Sequence, residues 1–317
     1  MSYLTLPFFQ HLEQAQSILI AGAGGGFDIF SGLPLYFGLR EQGKRVHLAN
    51  LSFSPLFSAT GRRLSPALME ISADTRVGSD YFPELHLARW FARQGESVPI
   101  YCFERVGVQP LLTAYRTLVD LLQLDAIVLV DGGTDSLMRG DEPALGTPEE
   151  DIASIAAVHQ LQLNTKLLVC LGFGIDTFHG VCHAHFLEAV SDLMRRDAFL
   201  GSWSLLASMP EVQRYRAATE FVLDAMAFHP SIVSTSILSA LAGLFGDVQM
   251  NARTAGSKLF INVLMTLYWC FRLDPVAQRL LYLDHILPTR TSREMRHAIE
   301  QFRDELSARK PWINLPM

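Results

Sequence analysis

Apolar residues in the first half of the chain fall into short runs, each followed by a longer stretch whose apolar positions recur at helical spacing. Ser17 to Ala21 (SILIA), Arg45 to Leu51 (RVHLANL), Val98 to Phe103 (VPIYCF), Ala126 to Val130 (AIVLV) and Lys166 to Gly172 (KLLVCLG) read as strands. Ser31 to Gln42, Tyr81 to Gln94, Val108 to Leu124 and Thr147 to about Leu161 read as helices between them. Uninterrupted apolar strands are those buried on both faces, as in a parallel sheet covered by two helical layers. Strand, helix, strand units also require right-handed crossovers. The pattern predicts an α/β fold with a mostly parallel, Rossmann-like sheet.

From Phe178 onward the periodicity is mainly helical. Gly180 to Arg195, Glu211 to Ala227, Ser234 to Leu244, Leu259 to Arg272 and Ser292 to Arg309 are the expected helices of a C-terminal extension packed on the sheet. The chain has 317 residues and shows neither a fixed-period repeat nor a linker of Gly, Ser and Pro. We therefore expect one domain over residues 1–317, with a sheet-forming part at 1–176 and a mainly helical part at 177–317. Ser52 to Gly78, rich in Ser, Pro, Arg and Gly, is expected to loop over the ligand edge of the sheet as a candidate lid.

Composition narrows the setting. Hydrophobic residues make up 49% of the chain and charged residues 18%, which implies extensive burial with a homo-oligomer interface as a contributor. A net charge of −6 provides no general attraction to nucleic acid or to acidic membranes. Ile232 to Phe245 and Leu259 to Phe271, the most apolar late stretches, are shorter than the roughly 20 residues that span a bilayer. The opening MSYLTLPFFQHLEQ lacks the pattern of a signal peptide, and the four cysteines form no CxxC pair. The expectation is a cytoplasmic protein that works on a small molecule, with no nucleic-acid or membrane partner.

Three turns at strand ends carry the candidate chemistry. In AGAGGGFD, Gly22, Gly24, Gly25 and Gly26 allow close backbone approach to a ligand, and Asp28 follows as a hydrogen-bond acceptor. The spacing supplies only the GxG part of a dinucleotide fingerprint and contains no Walker lysine. The second turn, DGGTDSLMRGDEPALGTPEED, gathers Asp131, Gly132, Gly133, Thr134, Asp135, Arg139, Asp141 and Glu142 near a strand end. Such carboxylates orient hydroxyls, bind a hard divalent cation or act as general acid and base. A solvated acidic loop in which Arg139 pairs with its neighbours is the competing reading. Thr147, Pro148 and the carboxylates that follow mark a helix start.

The third turn, GFGIDTFHGVCHAH, contains Asp176, His179, His183 and His185. His179 and His183 have the i, i+4 spacing of a transition-metal pair, but no second cluster completes a zinc site. We favour polar residues at a helix start, with His179 as a proton carrier. Asp247, Asn251 and Arg253 in GDVQMNART are candidates to close the cleft from the helical side or to form an ordinary surface loop. No GxSxG elbow supports a serine nucleophile.

The segments ILIAGAGGGFDIFSGLPLYFGLREQGKRVHLANLSF, LVDGGTDSLMRGDEPALGTPEED and GFGIDTFHGVCHAHFLEA together resemble the DUF1152 family of uncharacterised proteins, over nearly the whole chain. The resemblance implies that the three turns belong to one architecture and transfers no activity. The leading expectation is an enzyme, hydrolase or transferase, acting on a nucleotide-like, sugar-bearing or other small anionic metabolite. Asp131, Asp135 and His179 are its candidate catalytic groups. Gly22, Gly24, Gly25, Gly26, Asp28, Gly132, Gly133, Thr134, Arg139, Asp141 and Asp176 are its candidate ligand-binding residues. The cofactor is undetermined, with a divalent metal among the roles open to the carboxylates. A binding or regulatory protein using the same cleft without turnover is the alternative.

Overall fold

A computed structural model describes residues 5–248 and 259–315. Its centre is a nine-stranded mixed sheet with the order β3-β4-β5-β2-β1-β6-β7-β9-β8. The strands are β1 (Ser17–Gly22), β2 (Arg45–Leu51), β3 (Arg62–Ser65), β4 (Leu68–Ile71), β5 (Ile100–Phe103), β6 (Ala126–Asp131), β7 (Thr165–Leu171), β8 (Phe199–Ser204) and β9 (Leu267–Arg272). The inner strands β5, β2, β1, β6 and β7 are parallel to one another. An antiparallel pair flanks each side, β4 and β3 beyond β5, and β9 and β8 beyond β7.

Strand periodicity divides the core in two. On one face Ile18, Ile20, Val128, Val130 and Val169 pack under α3 (Leu33–Glu41), α4 (Pro83–Arg93) and α8 (Pro210–Ala225), with α1 (Pro7–Leu12) and α2 (Asp28–Ser31) in the same layer. On the other, Leu19, Ala21, Ile127, Leu129 and Leu168 pack under α5 (Val108–Leu122), α6 (Pro148–His159) and α7 (His183–Arg195). Every residue of β1 and β6 is buried, which explains why both read as unbroken apolar runs. Each large aliphatic side chain so covered contributes about 1.5–3 kcal/mol of transfer free energy. The C-terminal part adds α9 (Ile232–Leu241), α10 (Leu273–Ala277), α11 (Leu283–Ile286) and α12 (Ser292–Glu305).

Two expectations are corrected. The segment Leu259 to Arg272 is not a helix: a short 3-10 turn at Val263–Thr266 leads into β9. Its run LYWCFR is aromatic-rich and alternates in burial, so it fits a pleated surface, and the Tyr268 hydroxyl donates to the Ser31 carbonyl across the layer. β8 likewise places part of the C-terminal half inside the sheet rather than on it. Nor is Ser52 to Gly78 all loop, because Pro66 and Ala67 turn β3 into β4 and Leu68 and Ile71 are wholly buried. Phe53 and Ser54 do remain in irregular chain above the strand ends, and the Ser54 hydroxyl donates to the Tyr81 carbonyl at 2.6 Å.

The strand order reverses at β1, whose neighbours β2 and β6 are reached in opposite directions. At such a switch point the connections leave to opposite faces and open a crevice at the carboxyl ends of the strands. Gly22, the last residue of β1, lies against this crevice: a Cβ there would sit 2.0 Å from Asn50 Oδ1 and 2.9 Å from the Ile29 backbone nitrogen. Both neighbours are fixed in the core. Gly22→Ala is therefore expected to lower stability by about 2 kcal/mol, measured by denaturant unfolding, and an unchanged midpoint would contradict this packing.

Candidate functional site

The crevice above β1 and β6 forms a cleft of about 180 Å³. Its floor consists of Asp28, Asp131, Asp135, Asp151 and Asp176, with Glu150 at the side and His179 at the mouth. The opposite wall is Phe53, Tyr81 and His229, whose Tyr81 and His229 rings meet edge to face at 5.6 Å. No Lys or Arg lines it among the described residues. Arg105, just outside, pairs with Glu150 at 3.1 Å.

Four of the five aspartates accept backbone amide bonds, some from their own turn and some from a neighbouring one. Gly24 N–H donates to Asp28 Oδ2 at 2.8 Å. The Ser136 amide and hydroxyl donate to Asp131 Oδ2. Thr134 donates its amide and hydroxyl to Asp176 Oδ2, joining the second turn to the third. Asp135 Oδ2 accepts the Thr147 amide at 2.8 Å, so it closes the start of α6 from outside the helix. Thr147 does stand at the helix N-cap, but its hydroxyl turns toward Asp135 and Asp151 instead of the helix backbone.

Glycines make room for these carboxylates. A Cβ on Gly24 would lie 2.2 Å from Asp151 Oδ1, one on Gly132 2.7 Å from Asp28 Oδ1, and one on Gly133 2.7 Å from Asp176 Oδ2. Gly25 and Gly26 have φ of 101° and 58°, the left-handed region that glycine enters without steric cost. Behind them the buried Asn50 amide donates to the Gly26 carbonyl and to Glu84 Oε1, both at 2.8 Å.

Burial and mutual repulsion bias the cluster toward its protonated forms. Asp131, Asp151 and Asp176 are displaced well above the usual carboxylate range, first by desolvation and then by neighbouring aspartates. Burial also raises Asp28, to about 8, and Glu150, to about 7, and lifts Asp135.

The site thus brings together Gly24, Gly25, Gly26, Asp28, Asp131, Gly132, Asp135, Asp176 and His179 from the sequence candidates. Gly22, Gly133 and Thr134 stand one layer back as spacers and supports. Arg139 and Asp141 lie elsewhere: the guanidinium forks onto Asp141 at 3.0 and 2.6 Å, and Lys310 approaches the same carboxylate. Charge in that half of the loop is neutralised locally. His183 packs against the Phe173 ring at 5.3 Å and His185 is buried, and neither lines the cleft. Asp247 does not line it, and Asn251 and Arg253 lie outside the described residues.

Two acidic contributors were legible only as helix-start residues. Glu150 and Asp151 belong to the first turn of α6, whose N-terminus points at the cleft. The signal that marks them is a glycine-bounded strand end followed directly by an acidic helix start. Glu84 and Asn50 gave no sequence signal, being single polar residues in apolar context.

The model of a family of proteins of unknown function, DUF1152, matches residues 62–305. The chain belongs to the DUF1152 family. The matched span includes the second and third turns and Asp151 but begins after the first turn and Asp28, so it is shorter than the near whole-chain resemblance of the sequence segments. No curated protein and no solved structure matches this DUF1152 chain. No helix among the described residues is long and apolar enough to cross a membrane.

Glu84, wholly buried, has its carboxyl pushed up to about 7 by desolvation. An unfolded glutamate releases its proton near 4.3. The folded chain keeps the proton over that interval, so the cost of burying Glu84 is absent at low pH, grows as pH rises and is complete above about 7. Glu84→Gln should match the parent in thermal midpoint at pH 4 and exceed it by roughly 2–4 °C at pH 8. Equal midpoints at both pH values would contradict the assignment.

Proposed function

We propose that the protein is an enzyme, a hydrolase or a transferase, that acts on a sugar-bearing or nucleotide-like small metabolite in the strand-end cleft. The observation that carries this reading is the meeting of five aspartates with an aromatic wall in one small cleft. Carboxylates accept hydrogen bonds from hydroxyls in pairs, and ring faces cover the apolar side of a sugar or a base. The volume of about 180 Å³ suits a ligand fragment of that size.

Closely spaced carboxylates that cannot all ionise divide into proton donors and acceptors. Asp131 and Asp135 line the floor where a reacting bond would rest, one giving a proton to a leaving oxygen while the other draws one from an attacking hydroxyl or water. His179, at the mouth, exchanges protons with solvent. A bare phosphate would face repulsion from this floor, which favours hydroxyl recognition and requires a counter-cation for any anionic part.

A thermal-shift screen of the full chain against nucleosides, nucleotides, sugars and sugar phosphates tests the ligand class, since selective binding raises the midpoint. With a ligand found, Asp131→Asn and Asp135→Asn are each expected to reduce turnover by about 100-fold or more, with ligand binding retained in Asp135→Asn. Binding with no turnover in the parent would instead make this the cleft of a regulatory or carrier protein. A screen with no selective stabilisation would remove the ligand-site reading altogether.

A further inference from the structure

We propose that Asp28, Asp131 and Asp151 form the seat of one hard divalent cation. Asp28 comes from the turn after β1, Asp131 from the end of β6 and Asp151 from the first turn of α6, yet one carboxylate oxygen from each lies within 4.8 Å of the others. The proposal rests on reading the cleft as the ligand site and adds the ion through which that ligand is held.

Two buried carboxylates, each with an oxygen that no donor among the described residues meets, carry the argument. Asp131 and Asp151 are each 2% exposed. The two hydrogen bonds to Asp131, a residue that lines the cleft, both fall on Oδ2, and Oδ1 has no donor among the described residues. Asp151 Oδ2 meets only the Thr147 hydroxyl, at 3.4 Å, and Oδ1 receives no hydrogen bond. Carboxylates so largely buried, each with an oxygen that no described donor meets, are costly in their charged form unless a cation stands against them. Among the described residues no side chain supplies that cation, because Arg105 is engaged by Glu150 and no other Lys or Arg stands at the cleft.

The donor set selects the ion. All three ligands are carboxylate oxygens, the preference of calcium, magnesium and manganese rather than of ions that favour nitrogen or sulfur. With ion–oxygen distances of 2.3–2.6 Å, a calcium-sized ion spans about 5 Å between opposite ligands, so separations up to 4.8 Å fit one ion. The Gly24 N–H bond to Asp28 and the Ser136 bonds to Asp131 fix the orientation of two of the three ligands, as outer-shell partners do in metal sites. Three protein ligands leave positions for water and for the hydroxyl or phosphate oxygens of a ligand. The acidic floor then recognises an oxygen-rich metabolite through the ion instead of repelling it.

Calorimetric titration of calcium, magnesium and manganese chlorides into the metal-stripped full chain tests the seat, with manganese binding also followed by electron paramagnetic resonance. One saturable equivalent is expected. Asp131→Asn and Asp151→Asn should each weaken it at least about tenfold, whereas Asp120→Asn, on the exposed side of α5, should leave it unchanged. Circular dichroism and thermal melts confirm that the variants are folded. Absence of saturable binding for all three ions, or equal binding in Asp151→Asn, overturns the proposal. Cation binding without turnover supports the seat and counts against the enzyme reading alone, while chelator-insensitive turnover without cation binding does the reverse.

Discussion

Repulsion among five aspartates that share one small cleft is the constraint around which the neighbouring structure is arranged. Asp28, Asp131, Asp135, Asp151 and Asp176 arrive from separate elements, and four of them are at least nine-tenths buried. Such an arrangement raises proton affinity and lowers stability. The backbone responds with amide donors at Gly24, Thr134, Ser136 and Thr147, and with glycines wherever a side chain would collide with a carboxylate. The glycine-rich turns are thus spacers for acidic side chains.

The sheet determines where this cluster forms. β1 is the strand at which the chain changes direction of winding, and the turns after β1, β6 and β7 rise at the same edge. Parallel strands end with their carbonyls on that edge, and the start of α6 meets them there. Its N-terminal dipole favours negative charge close by, which offsets part of the cost of Glu150, Asp151 and the Asp135 carboxylate. The fold therefore places acidic residues where the backbone tolerates them best.

The parallel core was readable because SILIA, AIVLV and KLLVCLG are buried on both faces, and burial of that kind writes itself as continuous apolar sequence. β9 was not, since six residues of aromatic and apolar character inside a longer apolar segment satisfy helical and extended spacing alike. β4 was hidden by its length and by the Pro66 turn beside it. Within the site, Asp28, Asp131, Asp135 and Asp176 announced themselves by following glycines at strand ends. Asp151 was explained in advance by the helix dipole, and only the packing of α6 across the β6 turn brings it into the cleft. Arg139 and Asp141 sit in the same acidic loop as Asp135, but two residues of separation let them neutralise each other, an outcome that sequence density does not reveal.

The hydrogen bonds inside the cluster do not themselves require charge. Asp135 accepts from Thr147, Asp131 from Ser136 and Asp176 from Thr134 through a single oxygen in each case. An asparagine carbonyl in the same place would accept the same bonds. It would also remove the repulsion that burial magnifies. The scaffolding role accounts for an oxygen at each position and leaves the negative charge, together with the second oxygen, without a structural purpose. That surplus is concentrated on Asp28, Asp131 and Asp151, whose oxygens converge on one point in the cleft. A charge that destabilises the fold and is not needed to hold it together is what the proposed cation seat would use.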